Sequence, residues 1–164
     1  MGNAVGDFHV GVLGSMQDWE EIPVGNVIDL RNTTQKIIAE VKNKFNTTKG
    51  NHKKVIYDDL QNELHKQEYH NFTGYYVEIV PKPAEPYDKP FTPSDNVTHE
   101  RRPLNEKIRV IDGRSFYDKA SQHEGTLEKL YDVLPVVITD ILQIDLGDYK
   151  TDEMFMQLFR KAYC

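Results

Sequence analysis

The chain has a single cysteine, Cys164. That excludes an internal disulfide and any cysteine-based zinc site, and it suits a reducing cytoplasm. Long apolar runs are missing as well: nothing approaches the ~20 consecutive apolar residues of a membrane span. The opening stretch, MGNAVGDFHVGVLG, has neither the basic region nor the apolar block of a secretory leader. The Asn-x-Thr triplets at Asn32, Asn46, Asn71 and Asn96 are therefore read as turn composition, although in a secreted protein they would be glycan acceptors. There is no repeat, no low-complexity tract, and no metal-ligand spacing among the histidines. Excess positive charge is absent too, since the formal net charge is −6.

The sum hides an asymmetry. Residues 31–54 carry seven Lys/Arg (Arg31, Lys36, Lys42, Lys44, Lys49, Lys53, Lys54) against one acid, Glu40, a local charge of +6. Residues 124–153 carry eight acids against Lys129 and Lys150, a local charge of −6. A basic pole attracts phosphate, although a run of charge also forms on any solvated face. With 164 residues, 38% apolar and 28% charged, the chain can build one soluble domain around a real core. Residues 1–164 are read as that single domain.

Periodicity gives the element order. Val5, Phe8 and Val12 fall at helical spacing, and Gly14 is placed to end that helix. Residues 15–25 read as a loop. NVIDLR (26–31) and KIIAEVK (36–42) are short and rich in β-branched residues, which predicts two strands joined by a turn. Residues 52–66 predict a helix with Val55, Ile56, Leu60 and Leu64 on its apolar side. TGYYVEIV (73–80) and KIRVI (107–111) predict further strands. Between them, about 81–106, lies an irregular segment with six prolines, long enough to be functional or disordered. Ser115 is placed to cap a short helix through Ala120. Residues 125–142 predict a helix kinked or split by Pro135. Thr151 is placed to cap a last helix carrying Met154, Phe155, Leu158 and Phe159. This order predicts an α/β fold, a mixed central sheet flanked by helices.

The hairpin carries the chemistry. Pairing about the midpoint between Thr34 and Gln35 sets Asp29 opposite Glu40, with Lys42 on the same face and Ile28, Leu30, Ile37, Ala39 and Val41 on the other. Opposed residues in such a pair have Cβ atoms roughly 4.5–5.5 Å apart, and like charges there repel by about 0.2–1 kcal/mol. A divalent cation removes that penalty, and Mg²⁺ favours one or two carboxylates with water and phosphate. Lys42 then stands where an attacking water is positioned or activated. These are the parts phosphodiester hydrolysis needs.

Asp29, then ten residues, then Glu40-Val41-Lys42 at the end of an apolar strand resembles the PD-(D/E)xK nuclease motif, with Ile28 in place of proline. IAEVKNKFNTTKG (38–50), NHKKVIYDDL, YYVEIVPK (75–82), PFTPSDN (90–96) and RVIDGRSFYDKA (109–120) resemble bacterial type II restriction endonucleases, in particular the group that cuts GGNCC sites. The resemblance covers nearly the whole chain. It implies a restriction-endonuclease-like core, Mg²⁺ as cofactor, a homodimer, double-stranded DNA as substrate and cleavage at a short palindrome. Asp29, Glu40 and Lys42 take the catalytic roles, and Asp29, Glu40 and the Val41 carbonyl take the metal. Members of that group are longer at the N-terminus, so the chain is expected to lack an N-terminal portion.

Other residues are weighed for DNA contact: Lys44, Lys49, His52, Lys53 and Lys54 for the backbone, and Arg101, Arg102, Asn105, Lys107 and Arg109 in and after the long segment for the bases. Arginine reads guanine and asparagine reads adenine in the major groove. Solvated loop charge explains any one of them equally well. Glu78 is read as a second metal ligand with Lys82, as a partner that holds Lys42 or an arginine, or as an ordinary strand glutamate. Tyr75 and Tyr76 are read as packing groups, and Asp112 as a turn residue. The competing functions are a repair or recombination nuclease of the same superfamily, a non-catalytic DNA-binding remnant, and an interaction module using the acidic segment 124–163. A neighbouring methyltransferase gene separates the first of these from a restriction enzyme. Mg²⁺ binding separates both nucleases from the interaction module.

Overall fold

A computed structural model describes residues 4–48, 51–142 and 151–164. The elements run α1 (Ala4–Gly14), β1 (Trp19–Glu21), β2 (Leu30–Asn32), β3 (Ile37–Lys44), α2 (His52–His65), a short 3-10 turn (Gln67–Tyr69), β4 (Thr73–Val80), β5 (Asp88–Pro90), β6 (Ile108–Asp112), α3 (Gly113–Ser121), α4 (Thr126–Leu142) and α5 (Thr151–Tyr163). Six strands form one mixed sheet in the order β1-β2-β3-β4-β6-β5. The central β3, β4 and β6 are parallel, and the outer pairings are antiparallel. The expected mixed α/β architecture is what the chain forms.

Alternation along the strands divides the core into two layers. Ile37, Ala39 and Val41 of β3 and Tyr75, Val77 and Ile79 of β4 pack against α1, α3, α4 and α5. Ile38, Tyr76, Ile108 and Val110 pack against α2. β4 lies at the centre and is covered on both faces, which is why six consecutive residues of it are buried. Burying one such Val, Ile or Leu side chain contributes roughly 1.5–3 kcal/mol.

The hairpin register is the expected one: Leu30 faces Ala39, Arg31 faces Ile38 and Asn32 faces Ile37. The turn is fastened by the Asn32 side chain, whose Oδ1 accepts the Gln35 N–H at 2.8 Å. Lys36 adopts a left-handed φ of 57°.

Several expectations need correction. Residues 15–25 contain β1, an edge strand with only Trp19 buried, too short for alternation to show. The first hairpin strand begins at Leu30 rather than at residue 26, and Ile28 packs in the α2 layer, not with Leu30. On α1 the buried residues are Gly6, His9 and Leu13, while Val5 and Phe8 are exposed. On α2 the stripe is Ile56, Tyr57, Leu60 and Leu64, and Val55 faces solvent; at 100° per residue, Val55 falls off the arc these four define. The proline-rich segment contributes β5 at the sheet edge, where Pro90 needs no ladder partner for a missing N–H.

Two further corrections lie beyond β6. The helix after it starts at Gly113 and is capped by Asp112, which accepts the Ser115 N–H at 3.0 Å; Ser115 is not the cap. α4 runs through Pro135 without splitting. The last helix forms as expected and buries Phe159, while the side chains of Met154, Phe155 and Leu158 lie outside the described residues.

Candidate active site

Asp29 sits directly before the first residue of β2. Its backbone N–H donates to the Ala39 carbonyl at 2.8 Å, and its carboxylate accepts the Val41 N–H at 2.7 Å. The side chain thus occupies the ladder position that a longer β2 would have filled with a backbone carbonyl. This holds the carboxylate at the β2 flank of β3, beside Glu40. In an extended strand the N–H and C=O of one residue point to the same flank. The Val41 carbonyl therefore looks to the side where Asp29 lies.

Glu40 and Lys42 stand on the α2 face of β3, and Lys42 Nζ contacts Glu40 Oε1 at 2.5 Å. Burial and then the neighbouring Asp29 charge push the Glu40 carboxyl up to about 7, with Lys42 opposing. A small cavity of about 60 Å³ opens here, lined by Val27, Glu40, Lys42, His52, Ile56, Asp59 and Leu60. Sequence reasoning singled out His52 for DNA contact and passed over Asp59. The signal for Asp59 was its place on α2, about two turns beyond His52 on the same face.

The donor set fits a hard dication. Two carboxylates pressed together while partly desolvated are what an oxygen-loving cation relieves. Among the described residues no group of three or more His, Cys, Asp or Glu side chains is close enough to share a metal. The acids here supply two ligands, a number Mg²⁺ commonly takes alongside water and phosphate.

Glu78 stands level with Lys42 on the adjacent strand but is committed elsewhere. It is buried, accepts Lys53 Nζ at 2.9 Å and accepts the Tyr87 hydroxyl at 2.5 Å. The expectation that it holds Lys42 or an arginine is thus replaced by a Lys53–Glu78–Tyr87 cluster, which also takes both oxygens that a second metal site with Lys82 would use. Tyr75 and Tyr76 are core residues, as expected. Asp112 is more than a turn residue: it is buried, caps α3, and accepts the Tyr87 N–H at 2.7 Å.

The remaining expected DNA contacts are dispersed. Lys44 is exposed at the end of β3, and Lys49 lies outside the described residues. Lys54 is paired with Asp95 at 2.5 Å, and Arg102 with Asp58 at 2.6 Å. Arg109 bonds Asp88 at 2.6 Å and Glu106 at 2.9 Å. Lys107 Nζ donates to the His70 carbonyl at 2.9 Å. Asn105 Oδ1 accepts the Lys107 N–H at 3.0 Å. Arg101 is exposed, with one bond from Nη1 to the Thr92 carbonyl at 3.2 Å.

These bonds explain why the proline-rich segment is ordered. Lys54–Asp95, Arg102–Asp58, Tyr57 Oη to the Pro103 carbonyl at 2.7 Å, and the Asn96 N–H to Asn51 Oδ1 at 2.8 Å fasten it along α2.

Comparison with known proteins gives the family of the chain. Residues 1–143 match the Eco47II restriction endonuclease family. The chain is similar to the type II restriction enzyme Eco47II of Escherichia coli, 35% identical over 98% of this chain and 70% of that protein. It is also similar to the type II restriction enzyme Sau96I of Staphylococcus aureus, 25% identical over 98% of this chain and 62% of that protein. No solved structure matches it.

Proposed function

The chain belongs to the Eco47II restriction endonuclease family, type II enzymes that cleave DNA in restriction–modification, and from that premise we propose that Asp29, Glu40 and Lys42 are its cleavage centre for double-stranded DNA. One observation carries the reading: two carboxylates and a lysine meet at the middle of β3, where Asp29 replaces a strand neighbour to reach its place. A structural salt bridge needs no second carboxylate there.

Mg²⁺, which restriction enzymes typically use, would be held by Asp29, Glu40 and the Val41 carbonyl, and when bound supplies positive charge to the scissile phosphate and a more acidic water. The chain's own residues do the rest. Asp29 is fixed by the Val41 N–H, so its free oxygen is already oriented. Lys42 Nζ, released from Glu40 once that carboxylate is engaged, donates to the attacking water or to a non-bridging phosphate oxygen. His52, at the start of α2, faces the same cavity and contacts the strand beside the scissile bond.

We further propose that the enzyme acts as a homodimer in the cytoplasm. A palindromic site presents its two scissile phosphates with twofold symmetry, which a C₂ pair of identical centres matches. No helix among the described residues is long and apolar enough to cross a membrane. The test is to incubate the chain with plasmid DNA containing GGNCC sites and Mg²⁺, then to sequence the ends. Discrete ends at a common short palindrome support the proposal. Random ends favour a repair-type nuclease, and intact DNA that is nonetheless bound favours a non-catalytic DNA-binding domain.

A further inference from the structure

A second, larger concavity of about 430 Å³ lies between α2 and the proline-rich segment. Its polar lining includes Lys53, Lys89, Thr92, Ser94, Asn96 and Arg101. It lies near the cleavage cavity at the start of α2, where His52 lines the one and Lys53 the other. We propose that this groove seats the phosphodiester backbone of the strand leading away from the scissile bond, with Lys89 and Arg101 as its phosphate clamps. The inference rests on the cleavage reading above and adds to it where the strand runs and which cations hold it.

Three observations support this ligand. The first is shape. A concave groove receives the projecting ridge of a sugar–phosphate backbone, whereas reading base edges needs an element that projects into the duplex. The second is available charge. Lys53 is neutralised by Glu78, and Arg102 and Arg109 are committed to Asp58, Asp88 and Glu106. Lys89 has no carboxylate partner among the described residues and lies over the Tyr87 ring, 5.3 Å from its centroid. Arg101 spends one N–H on the Thr92 carbonyl and keeps the rest of its planar fork. Ser94, Thr92 and Asn96 add the hydroxyl and amide groups that commonly accompany such cations on phosphate.

The third observation is rigidity. The bonds of Lys54, Tyr57 and Asn51 to the segment hold the groove's outer wall against α2, so little ordering accompanies binding. Arg102 and Arg109 thus build the wall, and Lys89 and Arg101 face the ligand.

The experiment measures binding of a GGNCC duplex and a scrambled duplex in Ca²⁺ across a salt series. It uses the full chain, Lys89→Ala, Arg101→Ala and the control Lys129→Ala on the acidic side, with circular dichroism confirming each fold. Removing one cation from a phosphate should flatten the slope of log affinity against log salt by about 0.9. The two groove variants should show that flatter slope and weaken both duplexes by the same factor, and Lys129→Ala should match wild type. A changed ratio of cognate to scrambled affinity overturns the proposal, because the side chain then reads bases. Wild-type slopes in both groove variants overturn it while leaving the cleavage reading standing. Failure of the wild-type chain to bind either duplex overturns both.

Discussion

The Asp29 carboxylate and the Val41 backbone N–H are 2.7 Å apart, a side chain closing a sheet ladder that its own strand leaves open. One oxygen serves the fold, and the other is left for chemistry. Asp29 therefore has two roles that substitution can separate. Asp29→Asn keeps an acceptor for Val41 and should retain stability while losing Mg²⁺-dependent cleavage. Asp29→Ala loses a charged hydrogen bond worth about 1.5–3 kcal/mol. It regains only the roughly 0.2–1 kcal/mol of carboxylate repulsion, so the net effect is destabilising. Urea midpoints of the two variants without metal check this, and equal midpoints would show that the hydrogen bond is idle.

Glu40 sets the pH dependence. Its carboxyl is raised to about 7 by burial and by Asp29. A group whose folded pKa exceeds its unfolded value contributes stability that is complete below the unfolded pKa, near 4.3, and is lost as pH rises through the folded value. The metal-free protein should therefore weaken between about pH 4 and about pH 7, by roughly a few kcal/mol in all. Glu40→Gln should abolish that slope. Mg²⁺ affinity should move oppositely, rising with pH as the carboxylate ionises. Denaturation with and without Mg²⁺ at about pH 5 and about pH 8 separates the two trends; a Glu40→Gln profile that tracks wild type assigns the dependence elsewhere.

Much of this was legible in the sequence. Register follows from the alternation of apolar residues on KIIAEVK and from the Asn-Thr-Thr-Gln turn, so the proximity of Asp29 and Glu40 could be drawn before any coordinates. Where β2 begins could not, because Ile28 is apolar on either face and only Asp29's bond to Val41 fixes the start of the ladder. Arg102, Arg109 and Lys54 read as free charge because their partners Asp58, Asp88 and Asp95 are 44, 21 and 41 positions away along the chain. Pairing at that range leaves no periodic trace. For the same reason Glu78 looked free to hold Lys42, although Lys53 and Tyr87 had taken it.

The Lys53–Glu78 pair should behave as a coupled unit. Lys53→Met leaves the buried Glu78 carboxylate without its cation, and breaking a buried pair from one side typically costs 3–5 kcal/mol, a figure that Lys53's partial exposure reduces. Adding Glu78→Gln should recover part of that loss. A double-mutant cycle in thermal melts tests it, and strict additivity would show that the two side chains act independently.

Gly113 joins β6 to α3 at a point where a Cβ would lie 2.3 Å from the Ile79 carbonyl oxygen and 2.7 Å from its Cα. Both neighbours are backbone, so neither can rotate away. Gly113→Ala should destabilise by about 1–3 kcal/mol through overpacking. Because α3 and β4 shift together, cleavage should fall only as far as folded protein is lost. Activity normalised to the folded fraction tests this, and a specific loss of rate would place Gly113 in the site itself.

The most direct measurement is single-turnover cleavage of a duplex carrying one GGNCC site by Glu40→Gln beside wild type, with binding of the same duplex followed in Ca²⁺. Glu40→Gln should bind with near wild-type affinity and cut at least about a hundred-fold more slowly, since several kcal/mol of charge stabilisation leave with the metal ligand. Cutting by Glu40→Gln at the wild-type rate, with Mg²⁺ still required, would place the cleavage centre somewhere other than the Asp29–Glu40–Lys42 cluster on β3.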